Sequence, residues 1–381
     1  MSETVPEGWR FNSIAECCEI LDSQRIPLNS EERSKRLGEY PYYGANGIQG
    51  YIDDFIFDGD AILVAEDGGN FDQYAERPIA QWVTGKYWVN NHAHILRAKE
   101  NDLDKWIFYS LVHKNILKFI NGGTRAKLNQ SDLREIQISL PPLPEQKKIA
   151  SILTSVDEVI ETTQKQIDKL QDLKKATMNE LLTKGIGHTE FKESELGKIP
   201  KSWEGIKLGE LFVLTSGKSK PTRLLSSEMT KFNAIPVYGG NGVNGYTDSA
   251  LLDNSTIVIG RVGEYCGCVE LTPKHSWITD NALYIKNVLK QYDMLFLFYL
   301  MTFSNLSKLK SKGGQPLVSQ QPIHEYQVAL PPLNEQHSIA SIIAAIDGKI
   351  LVQIQKLNQT QSLKKSLMQD LLTGKVRVKV H

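Results

Sequence analysis

Lysine and arginine gather at two places in this chain where no acid accompanies them. Residues 105–131 hold Lys105, Lys114, Lys118, Arg125 and Lys127, and residues 294–324 hold Lys308, Lys310 and Lys312. Each window straddles a glycine pair, Gly122-Gly123 and Gly313-Gly314, where bare backbone N–H groups can approach a phosphate. A single basic run is usually a solvated face. Two at corresponding points of a chain with 44 basic and 44 acidic side chains suit contact with a polyanion, duplex DNA above all. Asn46, Asn91 and His92, with Asn241, Asp280 and Asn281 further on, lie in glycine-rich or strand-end contexts. Such side chains can read base edges, although turn chemistry explains an Asn-Gly equally well.

Catalytic chemistry is not expected. There is no GxxxxGK[ST], no GxGxxG after a strand, no GxSxG and no HExxH. His92-x-His94 offers two metal ligands with no evident third, so no metal is expected. Glu66-Asp67 looks like a nuclease carboxylate pair, but no lysine follows at a useful spacing, and Gly260-Arg261 stands at the matching place. Cys17-Cys18 and Cys266-Gly267-Cys268 have neither zinc-knuckle nor bridging spacing and read as reduced thiols of a cytoplasmic protein. No run approaches 18 uncharged apolar residues, and MSETVPEGWR lacks the pattern of a secretory signal, so neither a membrane span nor export is expected.

The elements that must position these residues occur twice. LPPLPEQKKIASIL at 140–153 returns as LPPLNEQHSIASII at 330–343, with ten of fourteen positions identical. VPEGW at 5–9 matches IPKSW at 199–203, YYGANGIQGY at 42–51 matches VYGGNGVNGY at 237–246, and LLTKG at 181–185 matches LLTGK at 371–375. WVNNHAHIL at 88–96 faces WITDNALYI at 277–285. The order is the same in both halves, so the chain is a tandem duplication of a whole domain plus an appendage. Short β-type runs such as AILVAE and TIVIG, punctuated by Gly, Asn and Asp, predict a mixed α+β globule in each copy. A helical pattern follows at 103–120 and 292–310, each expected to stop at its Gly-Gly.

Each appendage reads as one long helix. The prolines of Leu-Pro-Pro-Leu keep the chain extended up to its start, Pro144 suits a first helical position, and Asn334 suits an N-cap. Leu153, Val156, Ile160, Ile167, Leu170 and Leu181, with Thr163, Lys174 and Thr177 as polar interruptions, recur at alternating three- and four-residue spacings. The second copy gives Ile343, Ile346, Ile350, Leu357, Leu367 and Leu371. Such a seam of about five heptads cannot be buried by one helix alone, so the two helices are expected to pair as an antiparallel coiled coil, with a pseudo-two-fold relating the copies.

Two variable globules alternating with two LPPL-x-EQ helices resemble the specificity subunit of type I restriction–modification systems. The resemblance runs the whole length of the chain and includes GGTRAKLNQSDL at 122–133, where the second copy departs to read GGQPLVSQQPI. It implies target-recognition domains at 1–143 and 199–333, helical spacers at 144–184 and 334–373, a linker at 185–198 and a tail at 374–381. Each globule would read one half of a bipartite, asymmetric target on double-stranded DNA. The helices would set the unread spacer and dock two modification subunits, which carry S-adenosylmethionine and methylate adenine, with motor and restriction subunits reached through them. The chain itself would hold no cofactor. Candidate DNA contacts are Asn46, Asn91, His92, Lys118, Thr124, Arg125 and Lys127 in the first copy. Asn241, Arg261, Asp280, Asn281, Lys310, Lys312 and Gln315 are those of the second. The competing readings are a self-contained DNA methyltransferase and a coiled-coil scaffold.

Overall fold

A computed structural model of the protein describes residues 6–122, 126–311 and 314–380. Two compact units emerge, one made of Met1–Gln164 with Gln355–His381 and the other of Lys165–Ile354. Packing, and not chain order, draws this division: each long helix gives one end to each unit.

Within the first unit, strands β1 (Cys18–Ile20), β2 (Leu37–Gly44), β3 (Gly47–Ile52), β4 (Phe57–Asp58), β5 (Ala61–Ala65), β6 (Ala80–Val83), β7 (Lys86–Val89) and β8 (Ala93–Ala98) form two sheets. One is antiparallel in the order β1-β8-β5-β6. The other runs β3-β2-β7-β4, with β2 and β7 parallel. Strand β5, AILVA, is buried along its whole length, as a continuous apolar run between two packed faces should be. The second unit repeats the plan with β9 (Phe212–Ser216), β10 (Ile235–Gly239), β11 (Gly242–Thr247), β12 (Ile257–Gly260), β13 (Val269–Leu271), β14 (Trp277–Ile278) and β15 (Ala282–Val288). Its sheets run β9-β15-β12-β13 and β11-β10-β14. The α+β class and the internal repeat stand as expected from the sequence.

Three local expectations need correction. The helix expected at 103–120 is only α1 (Asp104–Leu111), because the Val112 carbonyl accepts from Ile79 N–H and the Asn115 side chain accepts from Leu117 N–H. Its counterpart α3 (Met294–Ser304) stops at Asn305, which takes the left-handed conformation at φ 50°, well before the glycine pair. Asn334 is no N-cap: the long helices are α2 (Leu143–Lys184) and α4 (Leu333–Leu371), and each begins at the leucine after the prolines. In addition, α4 proves long and apolar enough to cross a membrane by length and composition. Counting uncharged runs missed this because Asp347 and Lys349 interrupt the stretch. Asp347 is satisfied inside its unit, 2.7 Å from Lys174 and 2.8 Å from the Tyr299 hydroxyl.

The helices pair antiparallel within each unit. In the first, Ile149 and Leu153 near the head of α2 share a core with Leu367, Met368 and Leu371 near the tail of α4. There Asp157 meets Lys364 at 2.6 Å and the Tyr109 hydroxyl at 2.8 Å. In the second, Met178 and Leu182 pack with Ile339, Ala340 and Ile343. Leu153, Ile167, Ile343, Leu357 and Leu371 are buried, and Val156, Ile160, Leu170, Leu181, Ile346, Ile350 and Leu367 partly so.

The repeated motifs meet at the helix ends. Glu145 accepts from the Trp9 indole at 3.2 Å and from Arg377 at 2.7 and 2.8 Å. The Arg377 guanidinium holds this carboxyl below its usual range against the opposing effect of burial. Glu335 likewise accepts from the Trp203 indole at 3.0 Å and Ile186 N–H at 3.0 Å, with His188 Nε2 at 2.8 Å. Gly185, at φ 71°, closes the end of α2, and a Cβ there would fall 2.4 Å from Glu335 and 2.8 Å from Trp203. Gln146, fully buried, accepts from Leu103 N–H at 3.0 Å and donates to Asp102 and the Pro141 carbonyl at 2.9 Å. Gln336 does the same for Asp293 N–H and the Pro331 carbonyl, both at 2.8 Å. Changing Gln146 to Ala leaves a buried N–H and C=O without partners. We expect a loss of about 2–4 kcal/mol, seen as a lower urea midpoint for the first unfolding transition and faster amide exchange at Leu103.

Candidate nucleic-acid interface

A cleft of about 490 Å³ opens in the first unit where the β2–β3 turn faces the ends of β5 and β7. Its lining includes Arg33, Asn46, Gln49, Asp67, Asn91 and His92. Gly47, at φ 123°, lets the turn reverse tightly. Asn46 donates to the Gly68 carbonyl at 2.8 Å and accepts from Asn70 at 3.2 Å, joining two loops across the cleft. Buried Asn90 accepts from His92 N–H at 2.8 Å and donates to Gln49 at 3.2 Å, which fixes the loop bearing exposed Asn91. His92 Nδ1 lies 2.7 Å from Asp67. The cleft is thus a ring of amide, imidazole and carboxylate groups set on short turns, able to donate and accept hydrogen bonds at the same time.

Beneath it lies a buried ionic network. His94 is fully buried, with Nδ1 2.6 Å from Asp22 and Nε2 2.9 Å from the Leu128 carbonyl. Burial alone would raise the Asp22 carboxyl, but bonds from His94, Gln130 and Ile95 N–H carry it below the usual aspartate range. Arg25 lies 2.8 Å from Glu66 and 3.5 Å from Asp22. The sequence offered no third ligand beside His92-x-His94, yet the fold brings Asp22 and Glu66 to His94, with ligand atoms within 4.8 Å of one another. Those oxygens already accept from Arg25, Gln130 and Ile95, so the cluster is a structural charge network. It anchors Lys127-Leu128 against β5: Leu128 N–H donates to the Glu66 carbonyl at 2.7 Å.

The basic windows do not survive as uniform faces. Lys127 lies 3.4 Å from Glu66, an acid from 61 residues earlier in the chain. Lys105 sits over the Trp82 ring at 3.8 Å, where burial lowers its pKa. Lys308 donates to the Tyr326 hydroxyl at 2.7 Å. Lys118 is exposed beside Phe119, and Thr124, Arg125 and Lys312 lie outside the described residues. In the second unit Asn241, Asp280, Asn281 and Gln315 are exposed, while Lys310 is held by the Glu264 carbonyl. Arg261 donates to Ser216 Oγ at 3.3 Å and the Asp280 carbonyl at 3.4 Å.

Superposing hydrogen-bond patterns corrects the alignment of the two copies. Glu66 N–H donates to the His92 carbonyl, and Arg261 N–H donates to the Asn281 carbonyl. Glu66 and Arg261 are therefore the equivalent pair, one residue away from the sequence match. The same backbone position thus bears a carboxylate in the first unit and a guanidinium in the second. Sequence reading also missed a cation resting on an equivalent tryptophan in each copy, Arg36 on Trp88 at 4.8 Å and Lys220 on Trp277 at 3.9 Å. Arg36 and Lys220 sit in segments of unrelated sequence, so no repeat signal marked them.

The family model described as "Type I restriction modification DNA specificity domain" matches residues 6–172 and 200–364. A protein of Methanocaldococcus jannaschii named for type I restriction enzyme MjaX is 34% identical, covering 98% of this chain and 95% of its own. The type I restriction enzyme MjaVIII specificity subunit of the same organism is 29% identical, over 98% and 94%. Among solved structures, the type I restriction-modification S subunit from M. genitalium has the same fold, with a TM-score of 0.71 at 18% identity over 97% of both chains.

The network beneath the first cleft yields a stability test. The residue equivalent to His94 is Leu283, so His94→Leu swaps in the second copy's solution while leaving Asp22 without one partner. A loss of about 3 kcal/mol is expected in urea unfolding. Adding Asp22→Asn should recover part of it.

Proposed function

This chain belongs to the type I restriction–modification DNA specificity family, and from that premise we propose that each unit reads one half of a bipartite target on double-stranded DNA. The observation that carries this reading is that corresponding loops of the two units, matched by the same backbone bonds, carry unlike side chains. Asp67 and His92 of the first cleft stand where the other unit has Val262 and Asn281, and Arg261 of the second unit takes the place of Glu66. A carboxylate accepts from cytosine N4 and a guanidinium donates to guanine O6 and N7. Two such linings on one scaffold make an asymmetric reader. Basic residues such as Lys118, Lys127 and Lys310, with Arg125 and Lys312, would supply the phosphate contacts that set its register.

The chain is the non-catalytic member of its complex. Methyl transfer belongs to modification subunits that bring S-adenosylmethionine, and two are expected, one per repeat. Ile342, Leu351 and Val352 on α4 and Val159 and Leu173 on α2 are exposed apolar side chains of the paired helices. Burying them against helices of a partner would remove them from water. Motor and restriction subunits would join through the modification subunits.

In the assembled complex, removing the charges of Arg125 and Lys127 should weaken DNA binding and lower the salt slope by about two. Unchanged affinity and slope would remove these residues from the interface. The spacer role is tested by adding four residues after Gln164 and four after Ile354, where the helices pass from one unit to the other. Four residues add ~6 Å of helix and base pairs stack at about 3.4 Å. Methylome sequencing should then find both half-sites unchanged and the unread spacer one or two pairs longer. An unchanged spacer would mean that the helices do not measure distance.

A further inference from the structure

In the second unit the segment between β9 and β10, residues 217–234, presents an aromatic ring to solvent. Phe232 is 87% exposed, and Met229 and Leu224 nearby are 67% and 57% exposed. The segment is nevertheless built. Thr230 N–H donates to the Asn233 carbonyl at 3.1 Å, and Asn233 N–H donates to Thr230 Oγ1 at 3.0 Å, closing a tight turn around Phe232. Ser226 and Tyr246 exchange two backbone bonds at 2.8 and 2.9 Å, which ties the segment to the edge of β11. At its start the Lys218 carbonyl accepts from the Trp277 indole at 2.9 Å, next to Ser216, which accepts from Arg261, the residue at the Glu66 position of the first unit.

Its charge says what it faces. Lys218, Lys220, Arg223 and Lys231 against Glu228 give 4 − 1 = +3 in eighteen residues of a chain whose net charge is zero. Lys231 adjoins the exposed ring. Among the described residues, Lys218, Arg223 and Lys231 make no ion pair with a carboxylate. An apolar protein partner would leave those cations without a counter-charge, whereas a duplex offers phosphates for the cations and a stacked, apolar interior for the ring.

We propose that Phe232 is a wedge that enters a base step of the target beside the half-site read by the second unit, with Lys231 and Arg223 on the flanking phosphates. Apolar side chains used in this way unstack a step and kink the duplex, so the deformability of that step contributes to recognition without a base-edge contact. The corresponding segment of the first unit carries no aromatic between residues 25 and 36 and holds instead the Asn29-capped helix Ser30–Ser34. The wedge therefore acts at one half-site only. This inference rests on the DNA-reading role proposed above.

The test uses the complex assembled with its modification subunits and duplexes carrying the methylome-defined target, with 2-aminopurine placed step by step through and beside each half-site. The wild-type complex should raise the fluorescence at one step next to the second unit's half-site. Phe232→Ala removes an exposed ring, so folding is spared. It should abolish that rise and weaken binding on the order of tenfold, with the salt slope unchanged because no charge is lost. Phe232→Trp should keep the signal. Equal fluorescence and affinity for Phe232→Ala would overturn the wedge, as would loss of modification-subunit uptake with DNA binding intact, which would make Phe232 a protein contact. Failure of the wild-type complex to bind the target at all would instead count against the DNA-reading role.

Discussion

A glutamate–glutamine pair at the head of each long helix, with both members buried in the first unit and the glutamine buried in the second, is the interaction on which the rest of the architecture depends. The glutamine binds the turn it follows and the start of the globule's helix, Leu103 in one unit and Asp293 in the other. The glutamate binds the tryptophan that opens the globule and the chain just past the end of the other long helix. Buried polar groups of this kind cost free energy unless every partner is present. Globule, helix head and helix tail must therefore all arrive together. This explains why motifs far apart in the chain, the Pro-x-x-Trp, the LPPL-x-EQ and the LLT-Gly ends, are the parts that repeat. They are one site in space, made twice.

With the helix junctions fixed in this way, the loops that leave the sheet strands are free to differ. The strands that carry them keep their hydrogen bonds whether the residue after β5 or β12 is Glu66 or Arg261, because those bonds are made by backbone. Side chains can then change sign without disturbing the sheet. The first unit balances its choice internally, placing Arg25 on Glu66 and seating His94 between Asp22 and the Leu128 carbonyl. The second has Leu283 at the His94 position and needs no such network. The two units thus carry side chains of opposite charge at one position of a shared backbone plan.

Periodicity and repetition carried much of this into the sequence. Leu153, Ile167, Ile343, Leu357 and Leu371 could be assigned to a buried seam because a 3.5-residue repeat has only one face to hide. The tandem order of the motifs fixed the duplication, since chance does not preserve order. The length of α1 was not legible, because its end is set by a tertiary bond from Ile79 to the Val112 carbonyl that no local pattern contains.

Charge was where sequence alone said least, and the reason is distance. A window free of acids in the chain is not free of acids in space: Glu66 comes to Lys127, and aromatic rings take Lys105 and Lys308. Likewise Asp22 and Glu66 come to His94 only through the pairing of β5 with β8 and the turn after β1. The sequence by itself determined the repeat, the paired helices and the α+β class, since those depend on side-chain spacing along one element. Tertiary structure alone decided which charges meet partners within the protein. Electrostatic partners are chosen by proximity across the fold, and proximity is what a linear pattern does not record.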